Sequence, residues 1–167
     1  MKSRTFVVAM FSLVFFAGVL VPNLRADEED KTTIVTFPEA VQVPGTTLPA
    51  GTYTFKLADS TSDRNIVQIF NADGTQLITT ILAIPNERMA PTGNTVLKFD
   101  ERPSGQPEAL RAWFYPGDNF GQEFVYPKQK ATELAQSNRQ PVLSVRDDVK
   151  DVDALKNAQV EPAQPQP

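Results

Sequence analysis

The densest group of side chains able to do chemistry runs Arg111-Ala-Trp113-Phe-Tyr115-Pro-Gly-Asp118-Asn119-Phe-Gly-Gln122-Glu123. As an extended strand, Ala109–Tyr115 puts Leu110, Ala112 and Phe114 on one face and Arg111, Trp113 and Tyr115 on the other. The second face sets a tryptophan beside a tyrosine, the composition of a stacking platform for a sugar or a peptide. Arg111, Asp118, Asn119, Gln122 and Glu123 then stand at its rim as hydrogen-bonding groups. The candidate ligand-binding set is therefore Arg111, Trp113, Tyr115, Asp118, Asn119 and Glu123. The competing assignment places Trp113 and Phe114 on two sides of one core strand, with Gly117 and Gly121 shaping a tight loop. Aromatics at strand spacing fill cores more often than they build platforms, which favours this second assignment.

Two further constellations carry less. Asp118-Asn119-x-Gly121-x-Glu123 has oxygen ligands near a glycine, as calcium loops do. It lacks their ligands at alternate positions and their distant bidentate glutamate, and an Asx turn accounts for it better. No metal and no other cofactor is expected. Asp100-Glu101-Arg102, with Asp118 and Glu123, supplies carboxylates of the kind glycoside hydrolysis uses in pairs about 5–9.5 Å apart. Acids at a strand end are ordinarily solvated, and Glu101-Arg102 reads as a surface ion pair worth little.

The absent residue types restrict chemistry further. With no histidine and no cysteine, a Ser-His-Asp triad, a thiolate nucleophile and a histidine zinc site are excluded. Carboxylate chemistry, lysine nucleophiles and oxygen-ligand metals remain. No catalytic residues are assigned.

The N-terminus is laid out as a cleaved secretory signal. Lys2 and Arg4 precede an apolar run from Phe6 to Val21, and Pro22-Asn23 breaks it. Leu24-Arg25-Ala26 then leads into Asp27-Glu28-Glu29-Asp30. Cleavage is expected after Ala26. The run is shorter than the roughly 17–25 residues of a membrane-spanning helix, so no stable membrane anchor is expected once the signal is gone. The localisation expected is periplasmic or extracellular. Loss of Lys2, Arg4 and Arg25 takes the formal charge from −4 to −7 over the 141 residues left, which argues against nucleic acid as a partner. A glycan or an envelope protein is the partner class expected. With no cysteine, no disulfide holds the core together.

The elements that must position these groups are mostly short strands. Thr32–Phe37, Val41–Val43, Thr52–Leu57, Asn65–Phe70, Thr75–Ile84, Thr95–Asp100, Ala109–Tyr115 and Phe124–Tyr126 are β-branched or alternating runs between Gly, Pro, Asn and Asp punctuation. Asn71-Ala72-Asp73-Gly74 reads as a hairpin turn. Tyr53, Phe55, Val67, Ile69, Ile81, Leu97, Phe99 and Phe114 are the expected core. Lys128–Ser137 predicts a helix with Ala131, Leu134 and Ala135 along its apolar stripe, and Pro141–Val145 a further strand. The fold class expected is mainly β: an antiparallel sandwich or open barrel with one short helix near the C-terminus. Residues 27–145 form its domain, and residues 146–167 a flexible acidic tail ending in Pro and Gln.

Val43-Pro-Gly-Thr-Thr-Leu-Pro-Ala-Gly-Thr-Tyr-Thr-Phe-Lys-Leu57, Ile84-Pro-Asn-Glu-Arg88 and Ala112-Trp-Phe-Tyr-Pro-Gly-Asp-Asn-Phe-Gly-Gln-Glu-Phe-Val-Tyr-Pro127 resemble a family of uncharacterised exported proteins from Acidobacteria-type soil bacteria. The resemblance covers roughly residues 32–145. It implies export and supplies no catalytic residues. The function expected is an exported, non-enzymatic module with a binding or structural role in the envelope or outside the cell. The alternative is a carboxylate-based hydrolase or a carbohydrate-binding protein acting on extracellular polysaccharide.

Overall fold

The computed structural model describes residues 31–60, 64–88 and 90–166, without the side chains of Asp59 and Ser60. The expected signal peptide, residues 1–26, and the Asp27–Asp30 patch lie outside the described residues. In chain order the elements are β1 (Thr32–Phe37), β2 (Val41–Val43), β3 (Thr46–Leu48), β4 (Gly51–Ser60), β5 (Asn65–Asn71), β6 (Leu77–Glu87), β7 (Val96–Asp100), β8 (Glu108–Phe114), β9 (Phe120–Phe124), β10 (Tyr126–Pro127), α1 (Lys128–Asn138), β11 (Val142–Val145), α2 (Val152–Asn157) and β12 (Glu161–Ala163). The protein is mainly β, as the alternating runs require.

One sheet takes in β1 to β9. Along it the order is β1-β4-β5-β6-β9-β8, β7 pairs with the other edge of β8, and the β2–β3 hairpin joins β8 through a parallel β2. Neighbouring strands lie about 4.8 Å apart, so β4 and β8 stand roughly 19 Å apart in a flat sheet. Instead the rings of Phe55 on β4 and Trp113 on β8 have centroids 6.0 Å apart. The same holds for the sheet's two ends: Phe37 on β1 meets Phe99 on β7 edge-on at 6.3 Å. The sheet is therefore rolled into a barrel around Phe55, Leu57, Val67, Ile69, Ile81 and Trp113. No β1–β7 ladder closes it among the described residues. Of the two expected architectures, the open barrel is the one formed.

The hairpin between β5 and β6 shows how local chemistry sets a boundary. Asn71 Oδ1 accepts from the amides of Thr75 and Gln76, each at 2.9 Å, and Asp73 Oδ1 accepts from the Thr75 hydroxyl at 2.6 Å. Gly74 supplies the left-handed residue at φ 72°. These bonds hold Thr75 and Gln76 in the turn, so β6 begins at Leu77 rather than at Thr75. At its other end β6 runs past Pro85 to Glu87, three residues beyond the expected Ile84. The proline is tolerated because β5 pairs no further than Ala83, which leaves β9 as the only neighbour there among the described residues.

β10, α1 and β11 make a parallel crossover unit. Ala131, Leu134 and Ala135 face the barrel core, as the stripe predicts. Arg139 takes the left-handed cap conformation at φ 55°, and Asn138 accepts from the Gln140 amide.

The flexible tail is corrected. α2 is a second helix, capped by Asp151, whose side chain accepts from the Ala154 amide at 2.8 Å. β12 pairs antiparallel with β11 through Val142↔Ala163, Leu143↔Pro162 and Ser144↔Glu161. Leu155 and Ala158 are buried with Ile66, Leu82, Val125 and Val145 in a second apolar cluster on the outer side of β5 and β6. The tail folds because that outer face is itself apolar, a property that the tail's own composition does not reveal.

Candidate functional site

On β8 the ladder with β7 skips a residue: Lys98 pairs with Ala112 and Phe99 with Leu110, leaving Arg111 as a bulge. The bulge breaks the two-residue alternation. Leu110 and Trp113 both belong to the barrel core, and Tyr115 packs partly against it. The expected grouping of Leu110 with Phe114 is thereby corrected.

Trp113 is 1% exposed, with Phe55 edge-on to one side and Tyr115 edge-on at 6.5 Å. The platform assignment is corrected: no face of Trp113 is offered to a ligand. Phe114 is buried on the opposite side of the strand. Lys98 and Arg88 lie over its ring at 5.0 and 4.9 Å, and Gly121 is so close that an added Cβ would stand 2.4 Å from the ring.

Arg111 faces out and draws together two acids of the sequence constellation. It reaches Asp100 at 3.0 Å and Glu123 at 3.2 Å, and donates to the Pro141 carbonyl at 3.0 Å. Asn86 donates to the other oxygen of Glu123 at 2.6 Å. Burial disfavours the guanidinium charge, but the hydrogen bond and charge of Asp100, then those of Glu123, outweigh it and raise the Arg111 pKa. Asp100 is 5% exposed, and its Oδ2 is buried without a hydrogen-bond partner. Arg102 bridges to Glu133 on α1 and to Gln106, tying the loop after β7 to the helix. The expected Glu101-Arg102 surface pair is replaced by this bridge.

The remaining candidates do not converge on Arg111. Asp118 pairs with Lys31 at 2.6 Å, ahead of β1, and its carbonyl accepts from Arg88 Nε. Asn119 offers its carbonyl to the Arg88 amide and is exposed. Gln122 points into the barrel, where it accepts from Asn65. Among the described residues no three acids are grouped as metal ligands. The six candidates therefore separate into a core pair, an ion-paired strut and a loop.

An opening that the residue types did not single out lies between β1 and β7. It is a cleft of about 370 Å³ walled by Val35, Phe37, Leu97 and Phe99, with Glu39 and Glu108 at its edge. The Lys31–Asp118 ion pair and the Phe37–Phe99 contact tie β1 to the β7–β9 side of the barrel. Ordinary strand sequences build this cleft, so only the rolled sheet reveals it.

No protein-family model, no curated protein and no solved structure matches the chain. Among the described residues no helix is long and apolar enough to cross a membrane.

Proposed function

We propose that the chain is an exported, non-enzymatic module that works by binding in the envelope or outside the cell, with the unclosed β1–β7 seam as its contact surface. The observation that carries this reading is the cleft itself: an apolar slot of about 370 Å³ with two carboxylates at its rim. Concave, mostly apolar sites with a few polar groups are the usual form of binding sites. The likeness of Val43–Leu57 and Ala112–Pro127 to exported proteins and the layout of residues 1–26 support the export half. Against a carboxylate hydrolase stands the Arg111 strut, since Asp100 and Glu123, two of the acids such a pair would draw on, are both engaged by one guanidinium.

A photo-crosslinking residue placed at Gln106, beside the cleft, tests the reading in producing cells. Discrete adducts are expected from Gln106 and none from exposed Asp153 on α2. Equal adducts at both positions, or none at Gln106, would overturn it. N-terminal sequencing of the soluble product should begin within a few residues of Asp27.

A further inference from the structure

We infer that the seam binds an extended peptide segment in which apolar residues alternate with lysine or arginine, added as a strand along the edge of β1 at Ile34 and Thr36. This rests on the seam being the contact surface, and it names the chemistry of the partner.

The first ground is the backbone. The Leu57 amide donates to the Lys31 carbonyl at 3.0 Å, which marks Lys31↔Leu57 as a hydrogen-bonded pair of the β1–β4 ladder. Hydrogen-bonded and non-hydrogen-bonded pairs alternate in an antiparallel ladder. Thr33↔Phe55, Val35↔Tyr53 and Phe37↔Gly51 are therefore the bonded pairs. The amides and carbonyls of Ile34 and Thr36 point away from β4, towards the seam. Among the described residues β1 pairs with no strand but β4. A row of such groups is a template for an incoming strand.

The second ground is that this edge is unguarded beyond the Lys31–Asp118 ion pair at its start. Proteins protect free edges with charges, prolines or bulges. β1 reads Thr-Thr-Ile-Val-Thr-Phe, with none of these, and Ile34 is 68% exposed.

The third ground is charge. Glu39 and Glu108 edge the cleft, and among the described residues no lysine or arginine lines it and neither glutamate has an ion-pair partner. Alternate residues of an added strand face opposite sides. Apolar side chains then enter the slot against Val35, Phe37, Leu97 and Phe99, while basic ones meet the two glutamates. A second copy of this chain fits less well, because β1 carries no basic residue to answer those acids and the whole chain is acidic. An acidic strand is repelled.

The test compares two blocked hexapeptides on the purified protein by calorimetry and amide NMR: acetyl-Lys-Val-Lys-Val-Lys-Val-amide and its glutamate counterpart. The lysine peptide should bind saturably and shift the amides of Ile34, Thr36, Leu97 and Phe99. The glutamate peptide should not bind. Glu39→Lys with Glu108→Lys, both at exposed positions, should weaken the lysine peptide at least tenfold without altering the melting temperature. Equal binding of both peptides, shifts confined to other strands, or no binding by the lysine peptide would overturn the inference. If adducts still form at Gln106 in cells, only the partner chemistry falls. If neither adducts nor peptide binding are seen, the contact surface falls with it.

Discussion

Phe55 and Trp113 meet edge to face across the barrel, with ring centroids 6.0 Å apart and planes at 80°. Four ladder steps separate their strands in the sheet, so this contact depends on the roll and on nothing local. Phe55 is fully buried. Phe55→Ala should therefore cost about 3–5 kcal/mol in urea denaturation, because the cavity adds to the lost transfer energy. The chain's single tryptophan reports the same event. Its emission should move to longer wavelength and become open to acrylamide in Phe55→Ala. An unchanged midpoint and spectrum would mean that the two rings do not share a core.

The Arg111 strut should reveal itself through non-additivity. Arg111→Met leaves the Asp100 carboxylate buried and unpaired, which typically costs 3–5 kcal/mol at a fully buried site. The Arg111 side chain is 23% exposed, so roughly 2–3 kcal/mol is expected after solvent screening. Adding Asp100→Leu removes the stranded charge, and the double variant should be more stable than Arg111→Met alone. A denaturation series in which the two costs simply add would show that the pair is not coupled.

Burial of the Tyr126 phenol predicts an alkaline signature. Its hydroxyl lies 2.7 Å from the Leu110 carbonyl and 3.2 Å from that of Gln42. Burial first, then the nearby Asp100 charge, pushes the phenol well above its ordinary pKa of 10.0, with Arg102 opposing. Above pH 10 the unfolded chain loses this proton while the folded chain keeps it. The stabilisation is therefore complete below pH 10 and is lost as pH rises towards the folded pKa, by about 1.4 kcal/mol per pH unit. Tyr126→Phe should cost about 1 kcal/mol at pH 7 through the lost hydrogen bond. The variant lacks this titration, so the gap should close near pH 11. A gap constant from pH 7 to 11 would contradict the buried phenol.

How much of this was legible follows from the range of the interactions involved. Thr52–Leu57, Asn65–Phe70 and the Lys128–Ser137 stripe announced themselves because alternation and helical spacing are local properties. Tyr53, Phe55, Val67, Ile69 and Ile81 were readable as core for the same reason. The face of Trp113 was not readable, because a bulge at Arg111 overrides alternation and arises from pairing with β7. Whether Asp100 and Glu123 would meet was equally hidden, since the ladders with β8 bring them to one guanidinium. The seam was the least visible feature. It is made of what two strand edges fail to do.

The C-terminal segment gives the sharpest divergence between composition and structure, and it can be tested by removal. Residues 146–167 have few apolar side chains, but those few are well placed: Leu155 and Ala158 cover Ile66, Leu82, Val125 and Val145, and Ala163 enters the main core through β12. Truncation after Val145 uncovers that face and leaves one edge of β11 unpaired, so the melting temperature should fall markedly. A point variant keeps the test clear of gross misfolding. Leu155 is 6% exposed, so Leu155→Ala should cost about 2–4 kcal/mol. Val152 on the same short helix is exposed, and Val152→Ala should stay within about 0.5 kcal/mol. Hydrogen exchange should show the Ser144 and Ala163 amides protected in the full chain and open in Leu155→Ala. If the truncated chain and both point variants melt with the full-length protein, the segment is an appendage, and the cluster around Ile66 and Leu82 is stable without its cover.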